Sequence, residues 1–440
     1  MKQVEEFLTG RIWLRHFIPF PKEQIDRAIL NGSVTTRFGI TDEKQCIRCL
    51  EHSLQKIVPF YCEACQQICH YCRHCIKMGR ISSCTELITW ALPSTNLLQS
   101  HSFNWTGNLT PLQQRASHEV QKSISQKNDH LIYAVCGAGK TELLFPPIFE
   151  ALKIGLRICL AAPRTDVVLE LTPRLRAAFP NTIIHSLYGN APEELGFAQL
   201  VVTTTHQLYR FENAFDVMIV DEADAFPYSY DIALKRAVVK AKKKEAPIVY
   251  VSATPSTELL KQVAHVSKLF KRFHGYPLPI PKFQSLWRYD KTFAKGQLPK
   301  KLTVWVDEKI DKKEPFLLFF PTIELIEQAI DIFKRKYPAL EAVYSQDADR
   351  KEKVMKLRQK EIPGLITSTI LERGITIPNV QVAVIGADEA IFDAAALIQI
   401  SGRVGRSSEY PDGEIIFFHN GITRQMDKAK KMIISYNGGL

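Results

Sequence analysis

From about residue 105 onward, short and nearly continuous hydrophobic runs alternate with segments whose apolar residues recur at helical spacing. The first of these runs are HLIYAVC, RICLAA, TIIHSL, LVVTTT, DVMIVDE and PIVYVSA. A strand that is covered on both faces shows such an unbroken apolar run, and strands that alternate with helices pair in parallel. The pattern therefore predicts a parallel β-sheet with helices on its faces.

A second set of runs follows a stretch that is rich in proline and lysine, from GYPLPIPKF to GQLPKK. These runs are PFLLFF, LEAVYS, GLITST, QVAVIG and EIIFFH. Proline and polar residues between two periodic regions indicate a connection. The chain is thus predicted to be an α/β protein with two lobes, 105–280 and 302–440, joined by a linker at 281–301. A length of 440 residues suits two or three domains.

Charge and hydropathy narrow the classes of protein to consider. Lys and Arg number 57 against 46 Asp and Glu, and the resulting net charge of +11 favours a polyanionic partner. No apolar run approaches the roughly 18 residues of a membrane span, and the first residues, MKQVEEFLTGRIW, lack an apolar signal region. These features predict a cytoplasmic protein, in which clustered cysteines bind metal more often than they form disulfides.

Eight of the ten cysteines lie between residues 46 and 84 and define a predicted zinc-binding module at 41–95. They are Cys46, Cys49, Cys62, Cys65, Cys69, Cys72, Cys75 and Cys84. Two residues between a pair of thiolates suit a tight turn that places both sulfurs on one ion, so the eight predict two tetrahedral zinc sites. Closed sites of this kind are structural and supply folding free energy. The role of the preceding segment, 1–40, is not indicated by its sequence.

The grouping of the cysteines is open. One arrangement combines the first pair with the third, and the second pair with the last two cysteines. A sequential arrangement, in which the first four cysteines bind one ion and the last four bind the other, is equally compatible with the spacing. A single four-thiolate site with the remaining thiols free, or an iron–sulfur cluster, is a further alternative.

The segment AVCGAGKT, residues 134–141, follows a predicted strand and precedes a predicted helix. In that context the glycines let the backbone approach a phosphate, and N–H groups at the start of the helix point at its oxygens. Lys140 is assigned to the β- and γ-phosphates and the Thr141 hydroxyl to Mg²⁺. The common phosphate-loop pattern has glycine where Ala134 stands. The residues assigned to nucleotide binding here are Gly137, Ala138, Gly139, Lys140 and Thr141.

About eighty residues further along, VMIVDEADAF places acids directly after an apolar strand. A carboxylate at a strand end beside a phosphate loop is placed to contact Mg²⁺, a role assigned to Asp221. Glu222 is then placed to orient and deprotonate the attacking water. Paired acids are also common as solvated strand ends, so the assignment depends on the phosphate loop upstream.

The segments AVCGAGKT, DEAD, SAT and QISGRVGR occur in the order found in superfamily 2 helicases and translocases, and the chain resembles that superfamily. The cysteine module ahead of them, with CRHCIKMGRISSC, and the segment TSTILERGITIP are similar to the ComFA competence proteins, which power DNA uptake in transformable Gram-positive bacteria. The resemblance covers roughly residues 45–425. It implies that both lobes have the RecA-like fold and that the chain is a DNA-dependent ATPase.

The resemblance also assigns residues around ATP. Gln113 in LTPLQQRA corresponds to the contact with adenine, and Gly374 to a turn residue that faces the nucleotide cleft. In QISGRVGR, Gln399 is a further nucleotide contact, and Arg403 and Arg406 match the arginine fingers for the γ-phosphate. The SAT segment resembles the link between hydrolysis and strand grip.

A further set of residues is assigned by the same resemblance to contacts with a nucleic-acid backbone. These residues are Arg164 in APRTDVV, Thr204 and Thr205 in TTTHQL, Thr322 in FFPT and Thr369 in TSTILERG. They come from both predicted lobes, as expected of a motor that grips a strand with each.

The activity that the resemblance implies is ATP-dependent translocation on single-stranded DNA, which drives DNA uptake across the membrane during natural transformation. Lys140 and Mg²⁺ would hold ATP from one lobe and the two arginines from the other, so that hydrolysis and lobe closure are coupled. A ComFC-type partner and a membrane DNA channel are also implied. They would bring the chain to the inner face of the cell membrane, and an oligomer is left open.

Two other functions compete with this one. A PriA-like helicase or an RNA helicase would share most segments, but DEAD-box RNA helicases usually open the last motif with His-Arg or Gln-Arg, where this chain has Gln399 and Ile400. A zinc-dependent DNA-binding adaptor with a nucleotide switch would belong to another class, and it would not need both the acids and the arginines. The zinc module itself would offer a rigid surface for nucleic acid or a partner, or clamp the first lobe.

Overall fold

A computed structural model describes residues 1–93, 99–345, 347, 349–372 and 377–438. Contacts divide the chain into two compact units. Unit one is Met1–Ile132 with Thr141–Ser267, and unit two is Tyr133–Lys140 with Lys268–Leu440. Among the described residues, no helix combines the length and the apolar character that crossing a membrane demands.

The N-terminal part of unit one is a small antiparallel layer. Its strands and helices are β1 Trp13–Leu14, β2 Val34–Phe38, β3 Ile57–Cys62, β4 Gln67–Cys72, β5 Glu86–Trp90, α1 Lys2–Leu8 and α2 Lys22–Leu30. Strand β5 pairs with β1 on one side and β2 on the other. An apolar cluster that includes Phe7, Trp13 and Ile88 covers this sheet. Residues 1–40 thus form a folded layer with β5, and β3 pairs with β4 as a separate hairpin.

The larger part of unit one contains a seven-stranded sheet in the order β12-β6-β11-β10-β7-β9-β8. The elements are β6 His130–Ala134, β7 Ile158–Ala162, β8 Ile184–Leu187, β9 Leu200–Thr204, β10 Val217–Val220, β11 Ile248–Ser252, β12 His265–Leu269, α3 Pro111–Ser125, α4 Phe145–Lys153, α5 Thr165–Ala178, α6 Ile232–Ala241 and α7 Thr257–Gln262. The last residues of β6 and β12 are assigned to unit two. The neighbours from β11 to β8 pair in parallel. Each apolar run of the first set forms one of these strands, which confirms the predicted parallel sheet.

Unit two contains a six-stranded sheet in the order β13-β18-β17-β14-β16-β15. Its elements are β13 Lys282–Ser285, β14 Phe316–Phe319, β15 Glu341–Val343, β16 Gly364–Thr367, β17 Gln381–Ile385, β18 Ile415–His419, α8 Tyr289–Ala294, α9 Lys300–Asp311, α10 Ile323–Lys336, α11 Arg350–Arg358, α12 Ala394–Ser401 and α13 Arg424–Asn437. All neighbouring strands pair in parallel. The central strands are buried on both faces, as their unbroken apolar runs predicted.

The segment predicted as a linker, 281–301, carries regular structure. Residues Lys282–Ser285 form β13, which adds to the edge of the second sheet beside β18. Phe283 stacks on Phe417, with ring centroids 5.9 Å apart. The sequence has no long apolar run here that would reveal this edge strand, and the role of 281–301 as the connection between the lobes stays a prediction.

Candidate functional site

The segment AVCGAGKT follows β6 and bends sharply, as a phosphate loop does. Gly137 and Gly139 have φ of +81° and +70°, values in the left-handed region that favours glycine. The Ala138 N–H donates to the Val135 carbonyl at 3.2 Å and closes the turn. A glycine-rich turn of this kind lets the backbone approach phosphate oxygens closely.

The predicted helix after the loop begins as one 3₁₀ turn, Glu142–Leu144, and continues as α4. The Thr141 hydroxyl, assigned to Mg²⁺, accepts a hydrogen bond from Nη1 of Arg174 at 3.3 Å. Arg174 also pairs with the carboxylate of Glu142. Sequence reasoning missed this arginine, which lies inside α5 and has no motif around it. The hydroxyl oxygen has a second lone pair, which remains as an acceptor for Mg²⁺.

Within unit two, the phosphate loop contacts the segment QISGRVGR. The Cys136 Sγ donates to Oε1 of Gln399 at 2.9 Å. A Cβ on Gly402 would lie 2.4 Å from the Cys136 Cβ, so only glycine permits this approach. The phosphate loop therefore packs directly against the start of the arginine motif.

The two arginines of that motif are held by backbone carbonyls. Arg403 is 3% exposed and donates from Nε to the Glu372 carbonyl at 2.7 Å. Arg406 is half-buried and donates from Nε to the Gly402 carbonyl at 3.1 Å. These hydrogen bonds fix the positions of the two guanidinium groups in this structure. Their contact with a γ-phosphate stays a prediction.

A third arginine, Arg272, lies between the same two segments and was missed from the sequence. Its Nη2 donates to the Val404 carbonyl at 2.8 Å, and its Nη1 donates to the Gly405 carbonyl. A Cβ on Gly137 would lie 3.6 Å from the Arg272 Cγ, so its stem covers the phosphate loop. Burial lowers the pKa of Arg272 to about 10, which leaves the group charged at neutral pH. The only sequence signal for Arg272 was the basic pair in LFKRFHG, and similar basic clusters occur at several other places in the sequence.

The acidic motif stands at the end of β10 in unit one. The Glu222 N–H donates to Oδ1 of Asp221 at 2.9 Å. Glu222 has a φ of +51°, an unfavourable value for a residue with a side chain, and such strain is concentrated at functional sites. The two adjacent acids are both half-buried directly after the strand. Their roles toward Mg²⁺ and water remain predictions.

Asp224, the last acid of the motif, joins the acidic segment to SAT. Its Oδ1 accepts from the Ser252 Oγ at 2.6 Å, and its Oδ2 accepts from the Thr254 Oγ1 at 2.8 Å. Because both carboxylate oxygens are used, a shift of either segment displaces the other. The sequence suggested such a link for SAT but did not identify Asp224 as its other end.

The residues assigned to a nucleic-acid backbone lie in unlike environments. Arg164 is half-buried immediately before α5, and Thr322 is exposed where its hydroxyl caps α10 through the Leu325 N–H. Thr204 and Thr205 are both buried, and the Thr205 hydroxyl finds no hydrogen-bond partner in the described part of the chain. Thr369 is half-buried in a 3₁₀ turn, Thr369–Glu372. Contact with nucleic acid stays a prediction for all five.

Two residues assigned to the nucleotide complete the set. The Gln113 side chain accepts the Thr110 N–H at 2.8 Å and forms a capping box at the start of α3, where it is 4% exposed. An adenine contact would have to share or replace this bond. Gly374 lies outside the described residues.

The eight clustered cysteines form two four-sulfur groups. In each group the four sulfur atoms lie within 4.8 Å of one another: Cys46, Cys49, Cys72 and Cys75 in the first, and Cys62, Cys65, Cys69 and Cys84 in the second. Neither grouping considered from the sequence is the one found. The spacing of Cys69 and Cys72 predicts a turn pair, but both residues lie in the extended strand β4. Three residues of strand span about 10 Å and reverse the face, so these two sulfurs belong to different groups.

Both groups fit a zinc ion. Tetrahedral coordination with Zn–S near 2.3 Å puts neighbouring sulfurs about 3.8 Å apart. The observed separations are 3.8 Å for Cys46–Cys75, 3.5 Å for Cys49–Cys72 and 3.8 Å for Cys62–Cys84. All are far beyond the roughly 2.05 Å of a disulfide. The donor set of four thiolates is the one that structural zinc sites use.

The first sulfur group is tied to the rest of unit one. The Arg236 Nη1 donates to the Leu50 carbonyl at 2.7 Å, and the Lys240 Nζ donates to the Arg48 carbonyl at 2.6 Å. Burial lowers the pKa of Lys240 to about 8. Within the module, the Arg48 Nε donates to the Cys75 Sγ at 3.4 Å, a contact that orients a metal ligand. The module is thus fixed on α6 through its first metal group.

Comparison with known proteins places these features in a family. Residues 1–89 match the model of the competence protein ComFA N-terminal domain, residues 110–263 that of the DEAD/DEAH box helicases, and residues 298–408 that of the helicase conserved C-terminal domain. Competence protein ComFA of Bacillus subtilis is 41% identical over 99% of this chain and 95% of its own length. The chain belongs to the ComFA family. The ComFA protein of Streptococcus pneumoniae is 38% identical over 84% of this chain and 86% of its own.

Solved structures agree with the two-lobe fold. The DEAD-box helicase Mss116 bound to ssRNA and UDP-BeF superposes with a TM-score of 0.56 at 20% identity, over 71% of this chain and 70% of the other. RecG bound to a three-way DNA junction gives 0.53 at 15% identity, over 75% and 45%. At this identity the likeness shows the fold alone. Its helicase domains and its membership of the ComFA family make the chain a competence-related, ATP-hydrolysing enzyme of superfamily 2, and the helicase domains imply ATP and Mg²⁺.

Proposed function

We propose that this chain hydrolyses ATP to move along single-stranded DNA and so drives DNA uptake across the membrane during natural transformation. The observation that carries the proposal is the pair of hydrogen bonds that the Asp224 carboxylate accepts from the hydroxyls of Ser252 and Thr254. It ties the acids at the end of β10 to the segment after β11, so a rearrangement at the nucleotide is passed to another part of unit one. Membership of the ComFA family supplies the biological setting.

The residue roles follow from this proposal. Lys140 holds the β- and γ-phosphates, and Mg²⁺, held through Thr141 and Asp221, neutralises phosphate charge when bound. Glu222 takes the proton of the attacking water. Arg403 and Arg406 act as arginine fingers, which contribute roughly 10³–10⁵ to the rate in comparable enzymes. Arg272 positions the arginine motif through the carbonyls of the residues around it.

Zinc completes the proposed set of cofactors. Two ions would be held by the four-sulfur groups, and in such closed sites the metal supplies structural stability and no chemistry. The two ions would keep the described part of the module, residues 41–93, rigid on α6. The resemblance further supports a ComFC-type partner and a membrane channel as the route of the DNA.

The polymer that stimulates ATP turnover tests this function. Phosphate release should rise at least tenfold with single-stranded DNA, and much less with duplex DNA or RNA of equal nucleotide concentration. A net charge of +11 should make the concentration of DNA needed for half-maximal stimulation increase steeply with salt. Stronger stimulation by RNA would make the chain an RNA helicase, and slow turnover that ignores every polymer would make it a nucleotide-switched adaptor.

A further inference from the structure

The segment that follows the catalytic acids carries an exposed aromatic pair. Phe226 is 66% exposed and Tyr230 is 73% exposed, and their ring centroids lie 6.3 Å apart. Ile232, at the start of α6, is 65% exposed. Soluble chains rarely display large apolar side chains side by side unless the surface binds something.

This aromatic loop, residues 222–231, is held in one shape. The Ala225 N–H donates to the Glu222 carbonyl at 2.8 Å, and the Asp231 N–H donates to the Pro227 carbonyl at 3.0 Å. Tyr228 points inward, where it is 5% exposed, and burial raises the pKa of its hydroxyl. The chain therefore anchors the middle ring and presents the two outer rings to solvent, at little further entropic cost on binding.

The charges around the loop favour a polyanion. Lys235 is exposed on α6, one turn from Ile232 and therefore on the same face. Arg73 is exposed next to His74, whose Nε2 lies 3.5 Å from Oδ2 of Asp231.

The acids nearby are already engaged. Asp231 caps α6 through the Ala233 N–H at 2.8 Å. Glu51 faces His74 at 3.5 Å and Arg236 at 3.8 Å. What remains for a ligand is two exposed aromatic rings together with the exposed cations Lys235 and Arg73, the combination with which proteins bind single-stranded nucleic acid.

We propose that Phe226 and Tyr230 stack on bases of single-stranded DNA. The proposal rests on the proposed function for the presence of that strand. Stacking on rings needs no particular base, as suits a motor that must pass over any sequence. Because the loop begins at Glu222 and is closed onto its carbonyl, a base bound at the rings also contacts the segment that carries the catalytic carboxylate.

Two oligonucleotides of equal length and charge test the contact. One is an oligothymidylate, and the other has abasic residues throughout, so that only the backbone remains. The wild-type chain should bind the oligothymidylate more tightly than the abasic oligonucleotide. In the double variant Phe226→Ala, Tyr230→Ala this preference, the ratio of the two dissociation constants, should decrease by about fivefold to 150-fold for each stacked base that is lost. Tyr230→Phe should keep the ratio, because stacking does not use the hydroxyl.

A matched control and a milder variant separate the loss of stacking from general effects of removing an exposed ring or of poor folding. Phe38→Ala removes another exposed ring of unit one, 60% exposed on β2, and should leave the ratio unchanged. The double variant Phe226→Leu, Tyr230→Leu keeps the apolar bulk and should lower the ratio like the alanine variant, even if the latter folds poorly.

Three results would contradict the proposal, and each has a different meaning. A wild-type chain that binds neither oligonucleotide would overturn the proposed function and this contact with it. Equal binding of both by the wild-type chain would overturn the stacking alone. An equal loss of affinity for both in the leucine variant would also overturn it, and would assign the rings to folding or to a protein partner.

Discussion

Replacing Glu222 by glutamine should lower ATP turnover by about 10²–10⁴-fold, with ATP still bound. Glutamine keeps the shape of the side chain and the strained backbone, but it cannot accept the proton of water. Phosphate release at saturating single-stranded DNA measures the loss, and a fluorescent ATP analogue measures binding. The control is Glu245→Gln, because that carboxylate is exposed and pairs only with Lys127 among the contacts described for it.

Retention of more than a tenth of the wild-type turnover by Glu222→Gln would show that another group takes the proton. Asp224 would not be a ready substitute, since both of its oxygens accept hydrogen bonds from Ser252 and Thr254. A parallel loss of nucleotide affinity would instead mean that Glu222 supports the site and has no specific part in hydrolysis.

Substitution of Cys69 and Cys72 should separate the two zinc sites. Each single serine variant should lose one zinc of two per chain, and the double variant should lose both, because these neighbours belong to different sulfur groups. Cys72→Ser should also loosen the module from α6, since binding to a site of this kind is worth on the order of 10 kcal/mol. Metal content by mass spectrometry of the purified chain, with limited proteolysis of residues 1–93, checks both effects.

One zinc remaining in the double variant would mean that Cys69 and Cys72 share an ion, as the sequence spacing had suggested. The control is Cys159→Ala, which removes a buried cysteine of β7 outside both sulfur groups and should keep two zincs. No zinc in the wild-type chain would remove the sites altogether.

The two parallel sheets could be predicted because most of their strands are recognisable in the sequence as short apolar runs. Runs such as ICLAA in β7 and VMIV in β10 are buried at every position, and an unbroken apolar run is what a strand between two helical layers requires. The N-terminal layer was not predictable in this way. Strand β2 has one buried residue in five, and its sheet is recognisable only once β1 and β5 are paired with it.

The residues of the candidate site likewise fall into two groups: those that a local sequence pattern reveals, and those that only the folded chain brings to the site. Gly137, Gly139 and the acids that follow β10 could be proposed from the sequence because a local pattern of glycine and charge indicates their chemistry. Arg174 and Arg272 could not, because single arginines become part of a site only through tertiary contacts. The cysteine grouping failed for a related reason: a spacing of two residues brings sulfurs together in a turn, but in the extended strand β4 it separates them.

Displacement of streptavidin from a biotinylated oligonucleotide tests the central claim most directly. With ATP, the chain should release streptavidin from one end of a single-stranded oligonucleotide at least tenfold faster than spontaneous dissociation. Release should not accelerate from the other end, with a non-hydrolysable ATP analogue, or with Lys140→Ala. Brisk DNA-stimulated ATP hydrolysis without accelerated release from either end would contradict movement along the strand.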